Sequence, residues 1–376
     1  MAEIRIPAHA VVLITGGRRA PFAELANLVP ESVAAPWDVM KPDASLEALH
    51  AAMGVSRIVR VCMRSSNAKA RRSVASAAHR RGMKCICLRL PGSEEVDAVG
   101  EKIDRMYDVA SPEDTTFVVT PMPSDRTDMN GPFDIIGDVH GSHEQLIALL
   151  RELGHLDDEG RPRRHPGGRI VVLLGDLTDR GPQNRAVLET ARAIEAAGGL
   201  VIRGNHDEKL RNWLLGKSIE IKAGLDVTVR ELADTTTEWR HEMAAWIGTL
   251  EPHLMLAGGR LAVAHAGIDE EHQGRHTGGA FAFGLYGKPV EGGTVLDEHG
   301  FPAREDWALS YGGSATVVHG HVVHPFPRIV NDVVAIDTGC GFGGPLTAFR
   351  WPERRFVSIR NDLTRVDDMD GSGERT

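Results

Sequence analysis

The sequence predicts an α/β protein in two parts, the second a two-sheet sandwich flanked by helices. Three observations carry that prediction. Short β-branched runs alternate with helix-length stretches over the first 122 residues. A polar stretch bounded by Pro and Gly, PSDRTDMNGP at 123–132, then interrupts the alternation. Beyond it a second series of apolar runs begins, several of which end in a Gly-containing cluster of Asp, Asn or His.

In the first part VVLIT (11–15), SRIVRVCM (56–63), KCICLRL (84–90) and TFVVTPM (116–122) read as strands of a parallel α/β layer. AKARRSVASAAHRRG (68–82) and SEEVDAVGEKIDRMYDV (93–109) read as helices between them, with Arg71, Arg72, Arg80 and Arg81 forming a solvated basic face, the alternative being a face that helps to hold nucleic acid. The second part opens with FDIIGDVHG (133–141), followed by a helix whose Ser142-His143-Glu144-Gln145 start has the form of a capping box. RIVVLLGDLTDRG (169–181), the helix AVLETARAIEAA (186–197) and LVIRGNHD (200–207) continue it. RLAVAHAG (260–267), ATVVHGHVV (315–323), DVVAIDTG (332–339) and LTAFRW (346–351) supply a second sheet. The expected boundaries are 1–124, 131–365 and a disordered polar tail, 366–376.

Composition narrows the function classes. With 42% hydrophobic and 25% charged residues in 376, the chain is of ordinary globular make-up. The amino terminus lacks the layout of a signal peptide, and no apolar stretch approaches the roughly 20 residues a membrane span needs. Four cysteines without a CxxC pair form no disulfide framework, so the expectation is a reduced, cytoplasmic setting with Cys85 and Cys87 packed in a core strand. The first 130 residues carry 17 basic and 16 acidic side chains, the remainder 26 and 36. The motif-bearing part is therefore the acidic part, which argues against extended non-specific nucleic-acid binding and suits a site for divalent cations.

The chemistry lies in five blocks: GDVHG (137–141), GDLTDRG (175–181), GNHD (204–207), HAG (265–267) and GH (320–321). Any one alone is turn chemistry, in which a short polar side chain bonds its own backbone. Five in order, each supplying an Asp, Asn or His after an apolar strand, point to a metal centre. A carboxylate, amide and imidazole set without thiolate suits Mn, Fe, Zn or Ni.

These blocks resemble those of the calcineurin-like metallophosphoesterase superfamily. Within it, GPFDIIGDVHG, GNHDEKL, GRLAVAHAGIDEEHQGR, FGLYGKPVEGGTVLDEHGFPAREDW and VVAIDTGCGFGGPLTAFRWPE are most similar to the phosphatase domain of bacterial polynucleotide kinase-phosphatase, over nearly all of 131–352. The resemblance implies a two-sheet metallophosphoesterase sandwich and a two-metal centre. Asp138 and His140 would hold one ion, Asp176 would bridge, and Asn205, His265 and His321 would complete the other. Manganese is the first choice of metal, with Ni, Fe, Zn or Co as alternatives. Arg180 is the expected phosphate clamp, since a guanidinium fork matches phosphate oxygens. His206 is the expected acid for the leaving group, with Asp179 fixing its tautomer. The plain alternative for Asp179–Arg180 is a salt-bridged turn.

In HGHVVH the GH block favours His321, leaving His319 and His324 as strand-end residues. Asp337 matches an Asp of the family's IDTG block, with a local turn carboxylate as its alternative. His143, His155, His165, His253 and His272 read as solvated or core histidines.

In polynucleotide kinase-phosphatase a P-loop kinase precedes the phosphatase and a ligase-like module follows. Here nothing substantial follows residue 365. VVLITGGRRAPFAELA stands where strand, P-loop and helix would be, without the Lys and adjacent Ser or Thr of GxxxxGK-S/T. The first part therefore reads as a degenerate P-loop kinase-like domain without ATP-dependent activity, or as an unrelated small α/β domain. The expected function is hydrolysis of phosphate mono- or diesters of nucleotides or nucleic-acid ends, of the 2′-phosphate or 2′,3′-cyclic type. Alternatives are hydrolysis of dinucleoside tetraphosphates, serine/threonine phosphoprotein phosphatase activity, and a regulatory module without catalysis. Expected partners are phosphorylated small molecules, nucleotides or nucleic-acid ends, and no membrane.

Overall fold

A computed structural model describes residues 2–17, 20–30, 32–35, 42–55, 57–64, 68–290, 303–362 and 365–366. The expected tail beyond 366, and 291–302 of the FGLYGKPV stretch, lie outside the described residues. The chain divides into two compact units, Met1–Pro123 with Arg275–Gly278, and Ser124–Gly274 with Gly279–Thr376. Among the described residues no helix is long and apolar enough to cross a membrane.

The first unit runs β1 (Ala2–Pro7), β2 (Ala10–Gly16), α1 (Phe22–Leu28), β3 (Ser32–Ala34), α2 (Pro42–Val55), β4 (Ile58–Arg64), α3 (Ala68–Arg80), β5 (Lys84–Arg89), β6 (Arg105–Asp108) and β7 (Thr115–Thr120). Five strands form a wholly parallel sheet in the order β3-β4-β2-β5-β6, and β1 pairs separately with β7. Every residue of the central β2 is buried, which is why its sequence is a continuous apolar run rather than an alternating one. Cys85 and Cys87 are buried in β5, where burial pushes the Cys87 thiol up to about 11 and that of Cys85 also well up.

Two expectations fail in this unit. Arg71 is not part of a solvated face: it is 2% exposed, and its guanidinium donates to Glu101 through Nε at 2.5 Å and Nη2 at 2.7 Å. Nor is 93–109 a helix, since residues 91–104 form turns and irregular backbone before β6 pairs with β5. Glu101, which a surface helix would turn to water, faces inward to Arg71. The Gly100 N–H is taken by the Asp97 carboxylate at 3.0 Å, a local bond that competes with helix.

The second unit continues with β8 (Phe133–Ile136), α4 (His143–Glu152), β9 (Ile170–Leu173), α5 (Asn184–Ala196), β10 (Leu200–Val201), α6 (Asn205–Leu214), α7 (Leu225–Glu231), α8 (Thr237–Thr249), β11 (His253–Leu256), β12 (Leu261–Ala264) and α9 (Gly278–Tyr286). It ends with β13 (Thr316–His319), β14 (Arg328–Val330), β15 (Val333–Ala335), β16 (Leu346–Trp351), β17 (Arg355–Ile359) and β18 (Arg365–Val366). Its two mixed sheets have the orders β10-β9-β8-β16-β17-β18 and β11-β12-β13-β15-β14. LTAFRW thus joins the first of these sheets, not the second as expected: β16 pairs antiparallel with β8.

Alternation along the strands builds the sandwich. Phe133, Ile135, Val172 and Leu174 from one sheet meet Leu261, Val263, Val318 and Val334 from the other in one core. The opposite residues, Ile136, Val171 and Leu173, pack under helices through Leu146, Leu149, Val187 and Leu188. On the far side, Ala262, Ala264 and Val317 pack with Phe283 and Trp307. The two-sheet sandwich with outer helices is thus the architecture, each strand serving two cores through its period of two.

The capping box at α4 does not form. Ser142 occupies the N-cap without a side-chain cap bond. Gln145, the residue meant to reach back, instead donates to the carbonyls of Gly344 at 3.3 Å and Ile359 at 3.4 Å. Two long-range carbonyl partners, that of Ile359 buried, thus take the amide that a helix start would have used.

Candidate active site

The loops after β8, β9, β10, β12 and β13 converge beyond the strands' carboxyl ends, the side on which open α/β sheets place their sites. Gly175 and Gly204 let two of these loops touch. A Cβ on either would collide with the other loop's backbone, so the Gly of GD and of GNH is set by close approach. The tips are tightly turned: His140 (φ 46°), Asp176 (47°), Asp179 (76°), Arg180 (68°) and His321 (67°) all lie in the left-handed region.

Asp176 is the centre of the arrangement. Its Oδ2 lies 3.6 Å from His140 Nε2 and 4.0 Å from His206 Nε2, and its Oδ1 lies 3.4 Å from His265 Nε2. Among the described residues two groups that could hold a metal ion result, His140, Asp176 and His206, and Asp176, His265 and His321, each with ligand atoms within 4.8 Å of one another. Asn205 Oδ1 is 2.9 Å, and His321 Nδ1 3.2 Å, from His265 Nε2. The other ring nitrogens are already committed. His140 Nδ1 is 2.8 Å from the Thr178 carbonyl and His265 Nδ1 2.9 Å from that of Leu174, which aims each Nε2 inward as a ligand.

Asp138 is buried beside this cluster but outside both groups, its carboxylate accepting the His321 N–H at 3.0 and 3.2 Å. His206, read from sequence as an acid, falls within one group. Its Nδ1 is bound to Asp179 Oδ2 at 2.6 Å, which turns its Nε2 toward Asp176, as the carbonyls do for His140 and His265. His319 turns its Nδ1 to the Gly320 carbonyl, and neither it nor His324 belongs to the groups. Asp337 accepts the Gly339 N–H at 3.0 Å, the local turn bond that was its alternative reading.

Sequence reasoning missed the supports. Thr228 of α7 donates to Asp179 Oδ1 at 2.6 Å, and Asn184 accepts the Asp179 N–H at 2.7 Å. Asp207 accepts from Leu177 N–H at 3.0 Å and Gly204 N–H at 2.8 Å, tying two loops together. Asp207 stood in GNHD as a visible signal. Thr228 had none, being 49 residues from its partner. Arg180 Nη1 lies 2.5 Å from His140 Nε2 and Nη2 3.4 Å from His206 Nε2. Its guanidinium carbon lies 4.4 Å from the centre of the Phe342 ring.

Electrostatics follow from burial. Burial pushes His140 and His321 down to about 3 each, and lowers His265, leaving neutral imidazoles fit to coordinate. His206 is the exception: burial works downward, but the carboxylates of Asp176 and Asp179 outweigh it and raise the ring. Burial, with Asp337 and Asp176 nearby, drives Asp138 well above its ordinary value. Burial also works to raise Asp176, but the surrounding histidines hold it low. Packed carboxylates beside neutral imidazoles form a donor set that cations would satisfy.

The chain matches the family described as calcineurin-like phosphoesterase over residues 131–325. It is 39% identical over 240 residues to the bis(5′-nucleosyl)-tetraphosphatase PrpE (asymmetrical) of Geobacillus sp. WCH70, covering 62% of this chain and 96% of that protein. The Bacillus subtilis 168 protein of the same name is 39% identical over 236 residues, covering 61% and 95%, and that of Halalkalibacterium halodurans 40% over 232, covering 60% and 93%. A solved cold-active protein-tyrosine phosphatase of a psychrophilic Shewanella aligns at 19% identity and a TM-score of 0.43, over 67% of this chain and 83% of that one. The three PrpE relatives are named for nucleosyl tetraphosphates and not for polynucleotide kinase-phosphatase, which corrects the narrower likeness expected from the sequence. With the family's match spanning more than half of the chain and converging on the Asp176 cluster, the chain belongs to the calcineurin-like phosphoesterases, hydrolases of phosphate esters.

Proposed function

We propose that this chain is a dinuclear-metal hydrolase of dinucleoside tetraphosphates, splitting them asymmetrically into unequal nucleotides. The observation that carries the two-metal reading is Asp176, whose two oxygens face separate His groups. The relatives' names support the substrate. In this reading Asp138, His140, Asp176, Asn205, His265 and His321 hold the ions, manganese first among candidates. Bound there, divalent cations supply Lewis-acid stabilisation of phosphoryl charge.

The chain's own residues do the rest. Arg180 sits over the cluster and clamps phosphate oxygens. As water adds to the phosphorus and the P–O bond to the departing nucleotide breaks, His206 gives its Nε2 proton to the released oxygen, while Asp179 holds Nδ1 and is itself fixed by Thr228. For residues 1–124 we propose a degenerate kinase-like module, a reading that rests on its wholly parallel sheet; the Lys and Ser/Thr absent after β2 speak for the lack of ATP-dependent activity.

The test is a product analysis with bis(5′-adenosyl) tetraphosphate in Mn²⁺, beside 2′,3′-cyclic nucleotides, 2′-phosphorylated RNA and a phosphopeptide. Preferred turnover of the tetraphosphate to mono- and triphosphate is expected. Preferred turnover of the cyclic or RNA substrates would overturn the substrate assignment and return it to nucleic-acid ends.

A further inference from the structure

We infer that Phe342 is a nucleobase platform at the mouth of the site, a subsite for the nucleoside end of a phosphorylated ligand; the inference rests on the nucleotide reading above. The ring is 67% exposed. A single exposed apolar side chain needs no explanation by itself, so the weight falls on how this one is held and what lies beside it.

It is held rigidly. Phe342 ends a 3-10 turn, Cys340–Phe342, set between Gly339 (φ 79°) and Gly343 (φ 86°). The turn closes on itself: Phe342 N–H donates to the Gly339 carbonyl at 2.8 Å, and Gly344 N–H to the same carbonyl at 2.9 Å. Its base is anchored by Asp337 on Gly339 N–H, and by the Cys340 thiol donating to Gln145 Oε1 at 3.4 Å. Gly341 packs against His140, where a Cβ would come within 2.8 Å of the His140 Cβ and Cδ2. The turn is thus seated on a residue of the catalytic cluster, and Phe342 is carried at its edge.

The neighbours define the chemistry. The Arg180 guanidinium stacks on the Phe342 ring at 4.4 Å and reaches His140 with Nη1, so a phosphate-binding cation and an open aromatic surface are adjacent. Val323 borders the same turn, with its Cγ1 3.2 Å from where a Gly339 Cβ would stand, and is itself 45% exposed. Cation, aromatic ring and aliphatic rim side by side fit a ligand with an anionic group and a flat apolar group a few bonds apart, which is the chemistry of a nucleotide. A base stacks on an aromatic face whatever its identity, so the platform accepts purine and pyrimidine ends alike.

The probe is 2-aminopurine riboside 5′-triphosphate, whose fluorescence falls on stacking, titrated into the full metal-loaded chain, with inorganic tripolyphosphate as its base-free counterpart. Wild type should quench the probe. Phe342→Ala should abolish quenching and weaken the probe roughly 5- to 150-fold, the range for loss of one base–aromatic stack, with tripolyphosphate affinity unchanged. Phe342→Trp should keep both. Absent quenching in wild type, or equal weakening of probe and tripolyphosphate in Phe342→Ala, would overturn the platform, the second outcome reducing the ring to a support for Arg180. Failure of the substrate reading is seen elsewhere, in lost turnover of the dinucleoside tetraphosphate by wild type, and leaves probe quenching intact.

Discussion

His206 and Arg180 stand 3.4 Å apart over the same cluster, yet they should fail differently. If His206 supplies the leaving group's proton, His206→Ala should slow esters with poor leaving groups by roughly 10²–10⁴-fold. Esters of acidic phenols should lose far less, because their leaving group scarcely needs the proton. Asp179→Asn should give a milder form of the same selectivity, since the imidazole keeps its place but loses its charge partner. Arg180→Ala should slow both ester classes by similar factors, through lost stabilisation of transition-state charge. Comparing kcat/KM for alkyl and nitrophenyl phosphates across the three variants separates the roles. Equal losses for His206→Ala on both esters would assign His206 to the metal shell instead, consistent with its place beside His140 and Asp176.

Strand β8 joins this site to the opposite end of its sheet, and its Asp134 offers a test of the element. The carboxylate is fully buried and accepts from Arg169 Nε at 2.8 Å, His155 Nε2 at 2.9 Å and Arg350 Nε at 3.0 Å. Burial works to raise it, but these partners outweigh burial and hold it below the ordinary carboxylate range. A depressed carboxylate contributes stability that is complete above its unfolded value near 4 and is lost as pH falls through the lower folded value. Wild type should therefore lose stability below about pH 4. Asp134→Asn should be less stable by about 1–3 kcal/mol at pH 7, because Arg169 keeps Glu353 at 2.8 Å but loses its fully buried carboxylate. Urea melts stepped from pH 7 down to pH 2.5 would check this; a gap between the proteins that did not narrow across that range would exclude Asp134 from the acid transition.

GDVHG, GDLTDRG and GNHD were legible because each carries its strand, turn glycine and polar residue within a few positions. Thr228 on Asp179, Glu101 on Arg71 and Gln145 on Gly344 were not, because each depends on a partner 30 to 199 residues away. A solvated arginine face, a helix at 93–109 and a capping box were therefore read where long-range polar contacts had prevailed. LTAFRW was recognisable as a strand but not by sheet, since its antiparallel place beside β8 is a matter of chain return.

At the scale of the whole molecule, two sheets with opposed outer layers hold five strand-end loops against one cluster, so the rigid layers fix the positions of chemically active tips. Those tips carry a cost. Of the eleven non-glycine residues with positive φ among those described, five are His140, Asp176, Asp179, Arg180 and His321. Side chains in that region are disfavoured, and the surrounding sheets tolerate them where chemistry requires a particular group. Removing such a group can relieve the backbone. His321→Gly retains the N–H that Asp138 accepts and removes a half-buried ring from a left-handed position. The metal-free variant should melt no lower than metal-free wild type by calorimetry, while phosphoesterase turnover collapses; a melting temperature several degrees lower would mean that the imidazole supports the fold. The candidate centre would then be a place where selection has traded thermal endurance for reactivity, and where a search for heat-resistant variants would first recover inactive ones.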